Sequence, residues 1–189
     1  MTNRQALASA HDLDLVALGA TGDRAAFGEL VRRHGSAVRG LLRRMGADGA
    51  SADDVAQDAF LAAFEQITEF RGEGAFRTWV SRIAARLYAK RWRRQARAEL
   101  LEESAKMEPP QGPGADARID LDDAMKSLSG AERVCVSLCY GVGLSHAEAA
   151  LALNAPLGTV KSHVKRGLDK LRSRLSPDGD GGQRRQVGG

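Results

Sequence analysis

The chain has 189 residues, enough for one ordinary domain or two small ones, and its 43% apolar content suffices for a packed core. Aromatics are few at 5%, Ala, Leu, Arg and Glu are abundant, and no apolar–polar alternation of period two occurs, which favours helix and excludes a sheet. No run approaches the roughly 20 apolar residues of a membrane span, and the opening MTNRQALASAHDLDL holds no apolar signal core, so we expect no membrane insertion and a cytoplasmic protein.

The net charge of +4 is unevenly spread. Arg71 to Arg97 holds nine Lys/Arg and one Glu, Glu99 to Glu132 nine Asp/Glu and three Lys/Arg, and Thr159 to Arg174 six Lys/Arg and one Asp, so two basic blocks flank an acidic one. Either basic block alone suits a solvated helix face. Two together suggest a polyanion touched in two places.

In chain order, Phe27, Leu30, Val31, His34, Val38, Leu41, Leu42 and Met45 form the first amphipathic run, weakened by Gly35 and Gly40. Ser51 and Asp54 are expected to begin the next helix, with Val55, Ala59, Phe60, Ala63, Phe64 and Ile67 on its core face. Its other face carries Asp54, Gln57, Asp58, Leu61 and Glu65, a stripe that is either solvated or suited to a basic partner helix. A Gly-containing loop from Glu69 to Ala75 follows. The third helix runs from Phe76 to about Arg97, with Phe76, Trp79, Val80, Ile83, Leu87 and Tyr88 inward. It ends in KRWRRQAR, where Trp92 among cations suits stacking on a base or simple cover by arginine stems.

Met107 to Ala117, MEPPQGPGADA, reads as a linker, and SPDGDGGQRRQVGG from Ser176 onward as a disordered tail. Cys135 and Cys139 sit four apart on a helical pattern and read as buried small residues, because no further metal ligands stand at suitable spacing. Gly141, Val142 and Gly143 make a loose approach to the next motif. Ser145 and Glu148 form an S-x-x-E capping box, Asn154, Ala155 and Pro156 stop that short helix, and a second helix follows. Its apolar positions are Val160, Val164, Leu168, Leu171 and Leu175, and its other face holds Thr159, Lys161, Ser162, Lys165 and Arg166. This pattern is a helix-turn-helix whose second helix can enter a DNA major groove. Gly167 inside it costs about 1 kcal/mol of helix stability.

The order ADDVAQDAFLAAF, FRGEGAFRTWVSRIA, an acidic linker, then LSHAEAA and GTVKSHVKRGLDKLR resembles the extracytoplasmic-function (ECF) sigma factors of bacterial RNA polymerase, members of the sigma-70 family. The resemblance spans roughly Leu15 to Leu175. It implies an all-α fold of two small helical domains joined by a flexible linker: sigma domain two over 12–98, an acidic Pro/Gly-rich linker over 99–118, helix-turn-helix sigma domain four over 119–175, and a disordered tail over 176–189. It implies that Asp54, Gln57, Asp58 and Leu61 bind core polymerase. The loop residues Phe70, Arg71, Gly72 and Glu73 would take the minus-ten element, with Arg77, Arg82, Arg86, Lys90 and Arg91 holding the strand around it. Thr159, Lys161, Ser162, Lys165 and Arg166 would contact the minus-thirty-five element. Where housekeeping sigma factors place adjacent Trp residues this chain has Arg82 and Ile83, which weakens any melting wedge, and His146 stands where an aromatic is frequent.

The implied partners are core RNA polymerase, promoter DNA as duplex and melted strand, and an anti-sigma factor, in a stress or envelope response. Two other readings fit less of the chain. A sigma mimic that sequesters an anti-sigma factor need not keep a basic recognition face, and an independent helix-turn-helix regulator has no use for the N-terminal block. No phosphate loop, metal-ligand cluster or nucleophile with a matched base occurs, and His11, His34, His146 and His163 are scattered, so we expect neither an enzyme nor a cofactor.

Overall fold

The computed structural model describes the backbone of residues 3–102 and 121–175 and the side chains of residues 5–96 and 121–175. The expected tail, and the expected linker beyond residue 102, lie outside the described residues. Among the described residues all regular elements are helical and none is a strand.

The N-terminal unit comprises α1 (Asn3–Ser9), α2 (Asp12–Ala20), α3 (Arg24–Met45), α4 (Gly49–Glu65), a 3-10 turn (Ile67–Glu69) and α5 (Phe76–Glu102). The Asp23 carboxylate starts α3 by accepting from the amides of Ala25 (2.8 Å) and Ala26 (3.1 Å). Gly35 and Gly40 do not interrupt this helix. It stops at Gly46, whose φ of +108° suits glycine, with the Gly46 and Ala47 amides returning to the Arg43 and Leu42 carbonyls. The next helix begins earlier than Ser51 and Asp54 suggested. Asp48 is its cap, accepting from the Ser51 amide at 2.7 Å, so Ser51 lies in the first turn. The basic helix continues past Arg97 to Glu102.

Alanines set the packing here. Ala52, Ala56, Ala59 and Ala63 on α4 and Ala84, Ala85 and Ala89 on α5 are all buried, and short side chains let helix axes approach closely. The first two helices were not singled out from the sequence. Arg33 on α3 ties them down: its guanidinium donates to the carbonyls of Leu7, Ala8 and Ala10 and to the carboxylates of Asp12 and Glu29. Hydrogen bonds from Arg32 and Arg33 hold the Glu29 carboxyl down at about 2.

The C-terminal unit comprises α6 (Leu121–Lys126), α7 (Gly130–Val136) continuing into a π-helical turn (Ser137–Gly141), α8 (His146–Leu153) and α9 (Leu157–Leu175). Two reciprocal capping boxes, Ser129 with Glu132 and Ser145 with Glu148, start α7 and α8. Asn154, at φ +47°, ends α8 in the left-handed conformation, as the sequence indicated. Val160, Val164 and Leu171 are buried and Leu168 is partly buried, whereas Leu175 at the end of the stripe is exposed. Gly167 has a packing reason: a Cβ there would lie 2.7 Å from Val136 Cγ2, so its absence lets α9 approach α7.

The two units meet. One continuous apolar cluster takes in Leu41, Phe76 and Val80 from the first and Val134, Leu138, Val142 and Leu144 from the second. The segment Gly141–Gly143 is therefore not loose: Val142 is buried, and Leu41 packs against Gly141. Cys135 is buried in the same cluster and Cys139 is partly buried. Burial, reinforced by Cys139, pushes the Cys135 thiol up to about 12, and burial also raises Cys139, so both stay protonated at neutral pH. No helix among the described residues is long and apolar enough to cross a membrane.

Candidate nucleic-acid and partner interfaces

The outward face of α4 carries Asp54, Gln57, Asp58 and Leu61, all exposed, opposite the buried Val55, Ala59, Phe60 and Ala63. Leu61 is 57% exposed, a high value for a large apolar side chain on a complete core helix. Beside it runs a groove of about 720 Å³ between α3 and α4, floored by Phe27, Val31, Phe60 and Phe64 and rimmed by Arg24, Arg39, Asp53 and Gln57. The sequence located the stripe. It did not reveal the groove, because α3 contributes Val31 and Arg39 from a distant stretch of chain.

The loop before α5 turns on Gly72 and Gly74, both at positive φ (+75° and +89°). Arg71, Gly72 and Glu73 are exposed, but Phe70 is not. Its ring packs on Phe76 (centroids 5.7 Å apart) and Trp79 (5.5 Å), so it is the loop's footing rather than part of its outer surface. Beneath the loop lies a cleft of about 440 Å³ lined by His11, Asp12, Leu13, Arg33, Phe70 and Phe76, among others. Its α2 wall was missed from sequence. The ties that place α2 there, Asp12 to Arg33 (2.9 Å) and Asp12 to His34 (2.7 Å), span more than 20 residues and leave no local pattern.

On α5, Arg77, Arg82, Arg86 and Lys90 are exposed and Arg91 is partly covered. They do not form one free face. Arg82 Nε donates to the Val142 carbonyl at 3.0 Å and its Nη2 to the Gly143 carbonyl at 3.2 Å. Arg86 pairs with Glu148 at 3.5 Å, and Arg91 stands 3.9 Å from Asp54. Trp92 is partly buried against Gly130 of the C-terminal unit, not standing free among cations.

On α9, Thr159, Lys161, Ser162, Lys165 and Arg166 are all exposed while Val160 and Val164 point inward. Ser162 Oγ donates to the Gly158 carbonyl at 2.9 Å. Arg166 lies 3.8 Å from Glu132 and donates to His163 Nδ1 at 3.1 Å. Burial, with the Arg166 charge, holds the His163 imidazole below its ordinary range, leaving Nδ1 as acceptor at neutral pH. Among the described residues no group of three or more His, Cys, Asp or Glu is placed to hold a metal ion.

A capped helix-turn-helix joined to a helical unit with a glycine-turned loop and a long cationic helix is the architecture of a sigma-type transcription subunit. Residues 30–98 match the family model for Sigma-70 region 2 and residues 124–173 that for Sigma-70, region 4. The RNA polymerase sigma factor NccH of Alcaligenes xylosoxydans xylosoxydans is 35% identical, over 87% of this chain and 94% of that one. The ECF RNA polymerase sigma-E factor of Haemophilus influenzae is 30% identical, over 82% and 90%. A solved structure of CnrH in complex with the cytosolic domain of CnrY is similar at a TM-score of 0.50 and 31% identity, over 88% of this chain and 98% of that one. The chain belongs to the ECF sigma factors of the sigma-70 family, which direct transcription by RNA polymerase.

Proposed function

We propose that this sigma factor docks on core RNA polymerase through Asp54, Gln57, Asp58 and Leu61 of α4, takes the melted minus-ten strand at Arg71–Glu73 and on Arg77, Arg82, Arg86, Lys90 and Arg91, and reads the duplex minus-thirty-five element with Thr159, Lys161, Ser162, Lys165 and Arg166. Phe70 shapes the loop from below. Domain two then spans 12–98 and domain four 119–175, joined by the linker 99–118. The protein works in the cytoplasm, as an initiation factor with no chemistry of its own, in a stress or envelope response governed by an anti-sigma factor. CnrH in complex with the cytosolic domain of CnrY supports a protein partner for a chain of this fold.

The observation that carries the reading is α9: Val160, Val164 and Leu171 of its apolar stripe are buried, Leu168 is partly buried, and all five expected recognition residues are exposed. The duplex major groove is wide enough to admit such a helix. Run-off transcription with core polymerase over a promoter library tests it. The unaltered chain directs initiation from a defined promoter class. Asp54→Lys/Asp58→Lys stops co-purification with core enzyme, because like charges then face each other across the contact. Lys165→Ala or Arg166→Ala costs about 1–3 kcal/mol at one base pair if it reads a base edge, or weakens all sequences alike if it grips phosphate. Unchanged co-purification of the double lysine variant rules out α4 as the docking face.

A further inference from the structure

Where the end of α3 meets α6 and α7, the chain forms a cationic cleft of about 270 Å³. Arg43 and Arg44, in the last turn of α3, wall one side, and Asp122, Lys126 and Arg133 wall the other. Arg44 is paired with Asp122 at 2.8 Å and Lys126 with Asp123 at 2.6 Å. Arg43 and Arg133 have no carboxylate partner among the described residues. Arg133 is nevertheless fixed. Its Nη2 donates to the carbonyls of Lys126 (3.2 Å) and Leu128 (3.1 Å), and its guanidinium lies across Gly46, where a Cβ would stand 3.3 Å from Nη1. Its Nε is buried without a hydrogen-bond partner, a state that native proteins rarely leave uncompensated. The end of α3 attracts cations, but a helix C-terminus carries only about half a negative charge, too little to offset two guanidinium groups. Arg44 also walls a second cleft of about 270 Å³, with Arg77 and the hydroxyl-bearing Thr78 and Ser81. Neither cleft is lined by an aromatic side chain, so nothing in them stacks a nucleobase. Forked guanidinium donors match phosphate oxygens.

We propose that the two clefts, joined at Arg44, are a binding site for a small polyphosphate anion: a chain of linked phosphates, either free or carried by a nucleotide whose base stays outside. Arg43 and Arg133 supply the two uncompensated charges. Arg44 exchanges its exposed pair with Asp122, a kind of contact that is individually weak, for a phosphate oxygen. The narrowness of the clefts sets the ligand class, since sites for larger organic ligands run to roughly 300–1,000 Å³ with mostly apolar walls. Because α3 belongs to one unit and α6 and α7 to the other, the anion touches both.

The test uses the full chain, with titration calorimetry and thermal melting as readouts, at one ionic strength because salt screens exposed charges. The probes are orthophosphate, pyrophosphate, tripolyphosphate and ATP. Tripolyphosphate is expected to bind one-to-one and about ten-fold or more tighter than orthophosphate, because each added phosphate meets a further guanidinium. It should also raise the melting temperature, as any ligand confined to the folded chain does. Arg43 is exposed, so Arg43→Gln keeps the fold, and it should weaken tripolyphosphate about five-fold or more. Arg24→Gln removes the same charge about 28 Å away along α3, at 1.5 Å per residue, and should change little. Asp122→Asn releases Arg44 and should tighten binding about three-fold. ATP equal to tripolyphosphate assigns the site to a nucleotide-borne chain, and ATP about ten-fold weaker assigns it to a free one, a bulky base then being excluded; both outcomes support the site. If all phosphates bind alike, or Arg24→Gln weakens binding as much as Arg43→Gln, the anion follows diffuse charge and the proposal is overturned. Binding of ATP without tripolyphosphate overturns it too, because a base would then be recognised elsewhere. So does weaker binding by Asp122→Asn at an unchanged melting temperature, since the carboxylate would not be competing with the anion.

Discussion

The two basic faces of this sigma factor differ in a way that charge counting hides. On α9 the expected recognition residues are all exposed, although Arg166 reaches back to Glu132, because the helices that fill the apolar stripe, α7 and α8, lie immediately before it in the chain. On α5 one side is filled by α3 and α4, and part of the cationic side is covered by a unit that begins beyond the linker. A helical period determines which residues leave a helix's own core. It does not determine what later packs on the face they leave toward. A basic block is therefore a guide to open surface only where no unit from elsewhere in the chain packs on it.

The largest expected effect tests whether the two faces stand on one core. Phe76 is 1% exposed and touches Phe27, His34, Phe70 and Trp79, so it is both a core residue and the floor of the minus-ten loop. Phe76→Ala should cost about 3–5 kcal/mol in denaturant unfolding. Because the apolar cluster runs unbroken from Phe76 to Leu138, the loss should appear as a lower midpoint of one transition, followed together by circular dichroism and Trp fluorescence. A second transition that keeps its midpoint would mean that α9 stands on a separate core, making the contrast between the faces one of independent domains.

Much of this was legible beforehand, for identifiable reasons. The capping box at Ser145, the stop at Asn154 and the outward face of α9 are local patterns, set within a few residues of each other. The α4 stripe was legible for the same reason. The start of α4 was misread because Ser51 and Asp54 imitate a cap, while Asp48 performs the capping by accepting from the Ser51 amide. Phe70 and Trp92 were read from their immediate neighbours, yet their environments come from Phe76 and Trp79 in one case and from Gly130 in the other. Arg82 shows the limit most plainly: its two acceptors lie 60 and 61 residues away and are backbone carbonyls, which carry no side-chain signature.

A smaller effect is expected at the footing of α9. Gly167 reads as a weak point, since Ala in its place should gain about 1 kcal/mol of helix propensity. The packing reverses that sign. The added Cβ would stand 2.7 Å from Val136 Cγ2 and 3.5 Å from Glu132 Cβ, and Val136 is a stiff β-branched side chain that is itself buried. Overpacking of this kind costs about 1–3 kcal/mol, so Gly167→Ala should be destabilising by about 1 kcal/mol net. A cycle with Val136→Ala checks the cause, because residues in contact couple non-additively. If Gly167→Ala stabilises the protein in the presence of Val136, the close approach of α9 to α7 is not what the glycine serves.

The smallest effect distinguishes how the two units respond to acid. Glu132 is 4% exposed. Burial alone would push its carboxyl up, but the Lys170 ammonium at 2.7 Å and the amide and hydroxyl of Ser129 outweigh that and hold it below the ordinary 4.5. A carboxyl lowered by folding adds stability that is fully present above its unfolded value and is lost as pH falls through the folded one. The junction of α7 with α9 should thus be insensitive near neutrality and weaken below about pH 4.5. Glu148 follows the same sign for another reason: the Ser145 amide and hydroxyl lower it first, then the charges of Arg86 and Arg82 across the seam. Glu132→Gln retains a capping side chain and should flatten the acid limb of unfolding free energy against pH, leaving interdomain compaction unaltered. Glu148→Gln should do the reverse, removing part of the acid-dependent expansion in scattering while changing unfolding little, because Glu148 faces solvent. If instead Glu148→Gln flattens the unfolding limb as much as Glu132→Gln, the exposed Arg86–Glu148 pair contributes as much as the buried Glu132 cluster, and exposure does not separate the two acid responses.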